Sequence, residues 1–296
     1  MRFGRRLFGL LFVLMLVNQI LRSPVGIVRE WDRGMLWFDG FHSVLYQRTD
    51  YEVSLFERSS ALPAEQRKPL LIVLPDIGEP ISSWRHVVKN LPEDRSVQLV
   101  EYFGYGKSVL KKNVFTFSML DRMLYTIVDD SSEPVVLMGH GLGGWLALRF
   151  AIEHPDRIDK VIAINPSGFE QKLELPKTLP ETQEHVDMML GPALHFGFEL
   201  RNWQEFFENP MQEEIKREML LETKISKKLS KEKKEFSSKL FILWGEKDSR
   251  TNGHYQKNFL EHFPKAERIT LEDGYHSLQY THPEKVQQFV MTSLKK

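Results

Sequence analysis

The chain has no cysteine. That excludes disulfides, a thiol nucleophile and a thiolate metal site. The absence is compatible with an oxidising compartment but does not point to one. Net charge is missing too, because 40 Lys plus Arg residues balance 40 Asp plus Glu. A neutral chain builds no long-range field toward nucleic acid, and no nucleic-acid partner is expected. His86, His154, His185, His195, His254 and His262 show no ligand-like spacing. No metal site and no cofactor are therefore expected. Repeats and low-complexity stretches are also absent. What remains is an ordinary globular composition, 42% hydrophobic over 296 residues. That is enough for one core domain carrying an insertion.

One stretch organises the rest. Val135-Val136-Leu137-Met138 is an apolar run, and four glycines follow within six residues, at Gly139, Gly141, Gly143 and Gly144. Trp145-Leu146-Ala147-Leu148-Arg149-Phe150-Ala151 then places apolar residues at helical spacing. The pattern predicts strand, very tight turn, helix.

The N-terminus has a different character. Arg2, Arg5 and Arg6 precede an apolar run over residues 7–21. A basic head and a run of this length suit a signal peptide or a short signal anchor over residues 1–22. Asn18, Gln19 and Arg22 supply no small-residue cleavage site, which favours a retained membrane anchor. The charge order then predicts a membrane-anchored protein with its globular part translocated, or a secreted or periplasmic one if the segment is cleaved. Residues 23–41 read as a mixed linker, in which Trp31, Trp37 and Phe38 either lie at a membrane interface or, as the favoured expectation, pack on the domain.

Beyond the linker, strands and helices alternate. Val44–Tyr46 and Tyr51–Phe56 read as a half-exposed antiparallel pair. Leu70–Leu74 is a continuous apolar run, as in a strand covered on both faces. Pro75-Asp76-Ile77-Gly78 ends it, and a serine-capped helix follows over Ser82–Val88. Strands are also expected over 96–102, 161–166, 239–245 and 268–271, with a helix over 116–128. This order predicts an α/β architecture with a mainly parallel central sheet and helices on both faces. Its core is expected over 42–169 and 237–296. Between the two parts, 170–236 has prolines, then helical stretches, then a lysine cluster, and reads as a helical cap. Lys224, Lys227, Lys228, Lys231, Lys233 and Lys234 form a solvated helix face or a contact for anionic lipid.

Taken together, these residues resemble the α/β-hydrolase fold family over roughly residues 42–296. Gly139–Gly144 matches the nucleophile elbow, G-x-S-x-G, with Gly141 at the serine's position. Ser82-Ser83-Trp84-Arg85 resembles the helix after the oxyanion loop, and Gly104–Ser108 the glycine-rich turn. Leu243–Asp248 resembles the strand end that presents the acid. Gly274-Tyr275-His276 resembles the loop that presents the histidine. The resemblance implies Asp248 as acid and His276 as base, with the backbone N–H groups of Ile77 and Leu142 as oxyanion donors. His140 is read as structural.

Such a triad needs a hydroxyl that an imidazole can deprotonate, and a carboxylate that orients the imidazole. Gly141 has no hydroxyl. The family usually has His-Gly where this chain has Pro75-Asp76, so a carboxylate lies near the oxyanion site and opposes catalysis unless it points away. Elbow geometry has a positive φ, which costs a non-glycine residue about 1–3 kcal/mol. Loss of the serine is thus expected to leave the fold intact. The leading expectation is a protein inactive as an ordinary serine hydrolase that binds a small apolar or acyl-bearing ligand, or a partner. One alternative is an active hydrolase of ester-like bonds, using a displaced nucleophile or a water activated by His276. Ser108, Ser167 and Asp76 are the nearby candidates for such a nucleophile. Another is a membrane-tethered scaffold.

Overall fold

Strands covered on both faces can bury every side chain, so continuous apolar runs belong in the middle of a sheet. The computed structural model describes residues 33–76, 79–104, 106–111, 116–132, 134–167, 236 and 238–296. Among these, β3 (Leu71–Leu74), β4 (Val97–Val100) and β6 (Val135–His140) are buried throughout. β7 (Ile158–Ile164) and β8 (Lys239–Gly245) are buried along most of their length. With β1 (His42–Gln47), β2 (Tyr51–Arg58), β5 (Val109–Leu110) and β9 (Glu267–Leu271) they form one sheet. Its order is β1-β2-β4-β3-β6-β7-β8-β9, with β5 beside β2. β1, β2 and β4 pair antiparallel, and from β4 to β9 the pairing is parallel. β9 is an edge strand and is mostly exposed.

Alternation along β3 divides the core in two. Ile72 and Leu74 join one apolar cluster, Leu71 and Val73 the other. The first is covered by α1 (Phe117–Asp129), α2 (Leu142–Glu153) and α3 (Gly253–His262), through Leu124, Trp145 and Phe259 among others. The second is covered by Trp84, Val87 and α4 (Pro283–Lys295), which contributes Val286, Phe289 and Val290. Helices on both faces of a mainly parallel sheet agree with the sequence reading. Neither α3 nor α4 was part of it.

Several expectations are corrected. β2 is not half-exposed, because it lies between β1 and β4 rather than at an edge. The helix after β3 is a 3-10 turn, Ile81–Trp84, followed by one α-helical turn, Arg85–Val88, and no serine side chain caps it. Ser82 and Ser83 are buried within the turn, which Pro80 opens in extended geometry. The supposed linker also contains structure. Residues 33–38 are helical and dock through the fully buried Leu36, while Arg33 pairs with Glu101. Docking by that face leaves Trp37 61% and Phe38 73% exposed, so these two do not pack on the domain. Their rings contact each other edge to face.

The segments expected as anchor (1–22) and lysine cluster lie outside the described residues, as does the cap apart from Phe236. Among the described residues no helix is long and apolar enough to cross a membrane.

Candidate active site

Parallel strands end on the same side of a sheet, so the residues just past their carboxyl ends converge. Asp76 follows β3, Gly141 follows β6, Asn165 follows β7, Asp248 follows β8 and His276 follows β9. Asp76, Asn165, Asp248 and His276 are each buried to 1% exposure or less.

The turn after β6 is set by close backbone approach. Gly141 has φ 53° and ψ −120°, a region that disfavours any side chain. Its N–H donates to the Ile164 carbonyl at 3.0 Å, and its own carbonyl accepts from Trp145 and Ser167. A Cβ on Gly143 would fall within 2.5 Å of the Pro75 carbonyl oxygen, so glycine there lets α2 start against the end of β3.

Asp248 and His276 meet as the resemblance implies. His276 Nδ1 lies 2.7 Å from Asp248 Oδ2, and a carboxylate can only accept, so Nδ1 carries the proton. Asp248 Oδ2 also accepts from the Thr251 hydroxyl at 2.6 Å, and Oδ1 accepts from the Arg250 N–H at 2.9 Å. Burial opposes the charged form of Asp248, but His276, Thr251 and Arg250 outweigh it and hold its pKa below the ordinary value.

The space in front of His276 is filled by Asp76. A Cβ added to Gly141 would come within 2.5 Å of Asp76 Oδ2, and closer still to its Cγ and Oδ1. The carboxylate of Asp76 thus occupies the volume of an elbow side chain. Oδ1 accepts from the Leu142 N–H at 2.7 Å, the very group predicted as an oxyanion donor. Oδ2 is 3.1 Å from His276 Nε2 and accepts from Arg250 Nη1 at 3.1 Å. Arg250 Nη1 is also 3.2 Å from His276 Nε2. Burial would raise the pKa of Asp76, but Arg250, then His276 and His140, hold it far below the carboxylate range. Asp76 does not point away, so the condition for a free oxyanion site is not met. The other predicted donor, Ile77, lies outside the described residues.

A second buried layer supports the first. Glu79 Oε2 accepts from the Asp76 N–H at 2.9 Å and from the Trp84 indole at 3.2 Å, and lies 3.1 Å from His140 Nδ1. His140 Nε2 reaches the His276 carbonyl at 2.9 Å, and the two imidazole rings lie 4.7 Å apart. Burial works against a charged His140, yet the Glu79 carboxylate prevails and raises its pKa. Asn165, in left-handed geometry at φ 40°, donates to the Tyr275 and His276 carbonyls at 2.9 and 2.5 Å. Its Oδ1 accepts from the Gly245 N–H at 2.8 Å, which ties the His276 loop to the end of β8. Arg250, Glu79, Asn165 and Thr251 escaped the sequence reading. Arg250, Glu79 and Asn165 have no local pattern to mark them, since each reaches a residue distant in the chain, whereas Thr251 acts on Asp248 three residues before it.

Of the alternative serines, Ser108 has its hydroxyl engaged away from this turn. Ser108 Oγ donates to the Glu101 carbonyl at 2.7 Å and accepts from the Ser54 N–H at 2.8 Å. Ser167 donates its backbone N–H to the Gly141 carbonyl and is buried. Among the described residues, Asp76, His140 and His276 could bring one ligand atom each within 4.8 Å of one another. The set fits a cation poorly. Both His140 nitrogens are taken by Glu79 and a carbonyl, and the Arg250 guanidinium lies 3.1 Å from the Asp76 carboxylate.

Comparison with known proteins agrees with the architecture. The abhydrolase domain-containing protein lid-1 of Caenorhabditis elegans is 20% identical over 157 residues, which is 51% of this chain and 44% of that protein. Epoxide hydrolase 4 of Mus musculus is 28% identical over 149 residues, 48% of this chain and 39% of that protein. The chain thus spans less than half the length of these curated relatives. A crystal structure of a putative lipase from Acinetobacter baumannii superposes with a TM-score of 0.76 at 18% identity, covering 91% of this chain and 95% of the other. That likeness shows the fold alone. The family described as alpha/beta hydrolase fold matches residues 69–283, and with the strand order, the tight turn after β6 and the converging Asp248 and His276, this chain belongs to that family.

Proposed function

We propose that this α/β-hydrolase-fold protein is inactive as an ordinary serine hydrolase and uses the site at the carboxyl edge of its sheet to bind a small apolar or acyl-bearing ligand. One observation carries the reading: the Asp76 carboxylate fills the space of the missing elbow side chain and takes the Leu142 N–H. A serine-type mechanism needs a hydroxyl there and a vacant donor for the oxyanion. Both requirements fail at the same atoms. A carboxylate held ionised would also repel the negative charge that an acyl-transfer transition state develops.

The test is a fluorophosphonate probe with a panel of short p-nitrophenyl esters. The expected result is no covalent label and no turnover above background. Labelling that disappears in His276→Ala overturns the proposal.

Membrane attachment of the same domain is supported by the basic head, the apolar run over 7–21 and the exposed Trp37 and Phe38. Carbonate extraction of membranes carrying the full-length chain is expected to leave it in the pellet. Release into the supernatant overturns the attachment.

A further inference from the structure

The sheet has a second edge, where β3, β4, β6 and β7 begin, and a cleft of about 710 Å³ opens there. That volume falls within the range of about 300–1,000 Å³ found for small-molecule sites. The cleft is bordered by Tyr46 of β1, Glu57 of β2, Gln98 of β4, the end of α1 and the segment before β3. Asp76 and His276 lie past the opposite ends of these strands, and neither borders it.

Gln98 is the group in need of a partner. Glu57 and Gln98 pair in the antiparallel β2–β4 register. Val97 and Leu99 on either side of Gln98 belong to the cluster beneath α4, so Gln98 points to the face that α1 covers. Its Nε2 donates to Glu57 Oε2 at 2.8 Å. A carboxylate only accepts, so this bond fixes which end of the amide is nitrogen. The amide oxygen, Oε1, then has no hydrogen-bond partner among the described residues, although Gln98 is only 6% exposed. A buried acceptor left unpaired is unfavourable, and an N–H or O–H donor relieves it. Glu57 and Asp130 add negative charge at the same border. Glu57 accepts from Gln98 and from the Ser59 hydroxyl, and Asp130 from the Tyr46 hydroxyl, so neutral donors serve both. Burial, then the bond to Asp130, push Tyr46 up to about 12, so it keeps its proton and donates.

These features select a ligand. A metal ion needs several oxygen ligands to converge. Among the described residues, only Asp76, His140 and His276 form a set of that kind, and none of them borders the cleft. A quaternary ammonium has charge but no N–H, and would leave Gln98 Oε1 unpaired. A primary ammonium brings the charge and three donors together. The cleft is not uniformly acidic, however. Lys68 borders it from the segment before β3, and its ammonium has no carboxylate partner among the described residues. Of the other charges at the border, Asp159 pairs with Lys160, and the exposed Glu65 and Arg67 offset each other. A simple amine meets Lys68 as repulsion, whereas a ligand with an anionic far end meets it as attraction. We propose that this cleft binds a small free zwitterion, its primary ammonium held by Gln98 Oε1, Glu57 and Asp130 and its anionic group by Lys68.

Calorimetric titration of the full-length protein with γ-aminobutyrate tests this, beside two partial probes. Butylamine lacks the anionic group, and 4-(trimethylammonio)butyrate lacks the N–H donors. The expected result is saturable binding of γ-aminobutyrate, with 4-(trimethylammonio)butyrate about tenfold weaker. Glu57→Gln should also weaken γ-aminobutyrate about tenfold. Lys68→Met should weaken it about threefold and should not weaken butylamine. Lys68 is exposed, so this variant should unfold at the native temperature, which a thermal scan checks. No saturable binding at millimolar γ-aminobutyrate overturns the proposal. So does 4-(trimethylammonio)butyrate binding as tightly, or undiminished binding in Glu57→Gln. Undiminished binding in Lys68→Met overturns the anionic end. The fluorophosphonate result concerns the other edge of the sheet and leaves these outcomes untouched.

Discussion

Gly141→Ser adds a side chain to space that the Asp76 carboxylate already fills. Forcing atoms into a packed site costs about 1–3 kcal/mol. The backbone φ of 53° adds about 1–3 kcal/mol for a non-glycine residue. The single variant should therefore lose roughly 2–6 kcal/mol, a large part of the about 5–15 kcal/mol that keeps a domain folded. Asp76→Gly removes the overlap but leaves the φ strain. The two changes should thus be coupled, with the double variant about 1–3 kcal/mol more stable than the sum of the singles. Urea unfolding of the four proteins measures this directly. Additivity within about 0.5 kcal/mol would refute the claim that the two residues compete for one volume. The double variant alone also restores a hydroxyl in front of His276 with the Leu142 N–H released, so it alone should gain fluorophosphonate labelling.

Other outcomes follow from the buried charges. Asp76 and Asp248 have depressed pKa values, so their stabilising contribution is complete above about pH 4 and is lost as pH falls through the lowered values. His140 has a raised pKa, so its contribution is complete below about pH 6.5 and is lost as pH rises through the raised value. Urea midpoints measured across pH should therefore fall on both sides, and His140→Gln should flatten the alkaline side; an unchanged alkaline side would sink the Glu79–His140 pairing. Arg250→Met removes the strongest influence holding Asp76 ionised, so acid unfolding should move to higher pH, and no shift would contradict the Asp76–Arg250 pair. Asn165→Ala should cost about 2–4 kcal/mol and raise amide exchange around 274–277, because three hydrogen bonds are lost, two of them buried. Native-like exchange there would show that the loop is held by something else.

How far the sequence carried depended on whether a feature was local. β6, the turn and α2 could be read from one continuous stretch, because an apolar run, closely spaced glycines and helical spacing all act within about 20 residues. Asp248 and His276 were legible through their strand-end contexts, and they meet at 2.7 Å. β3 and β8 were visible as apolar runs, whereas α4 was missed although it buries Val286, Phe289 and Val290. Its weak stretch of apolar residues becomes a core face only against Trp84 and Val87. The half-exposed reading of β2 failed for a similar reason, since alternation does not reveal how many neighbours a strand has.

By itself, then, the sequence determined the alternation of strands and helices around the sheet and the tight glycine turn after β6. Each is written in neighbouring residues, where spacing and backbone geometry suffice. Where the Asp76 carboxylate goes was decided only by the tertiary structure. Asp76 and Gly141 are far apart in the chain, and only the adjacency of β3 and β6 brings the carboxylate into the glycine's empty volume. The same holds for Arg250, Glu79 and Asn165. Their roles are pairwise electrostatics and hydrogen bonds in a buried site, and such interactions have no sequence period to read.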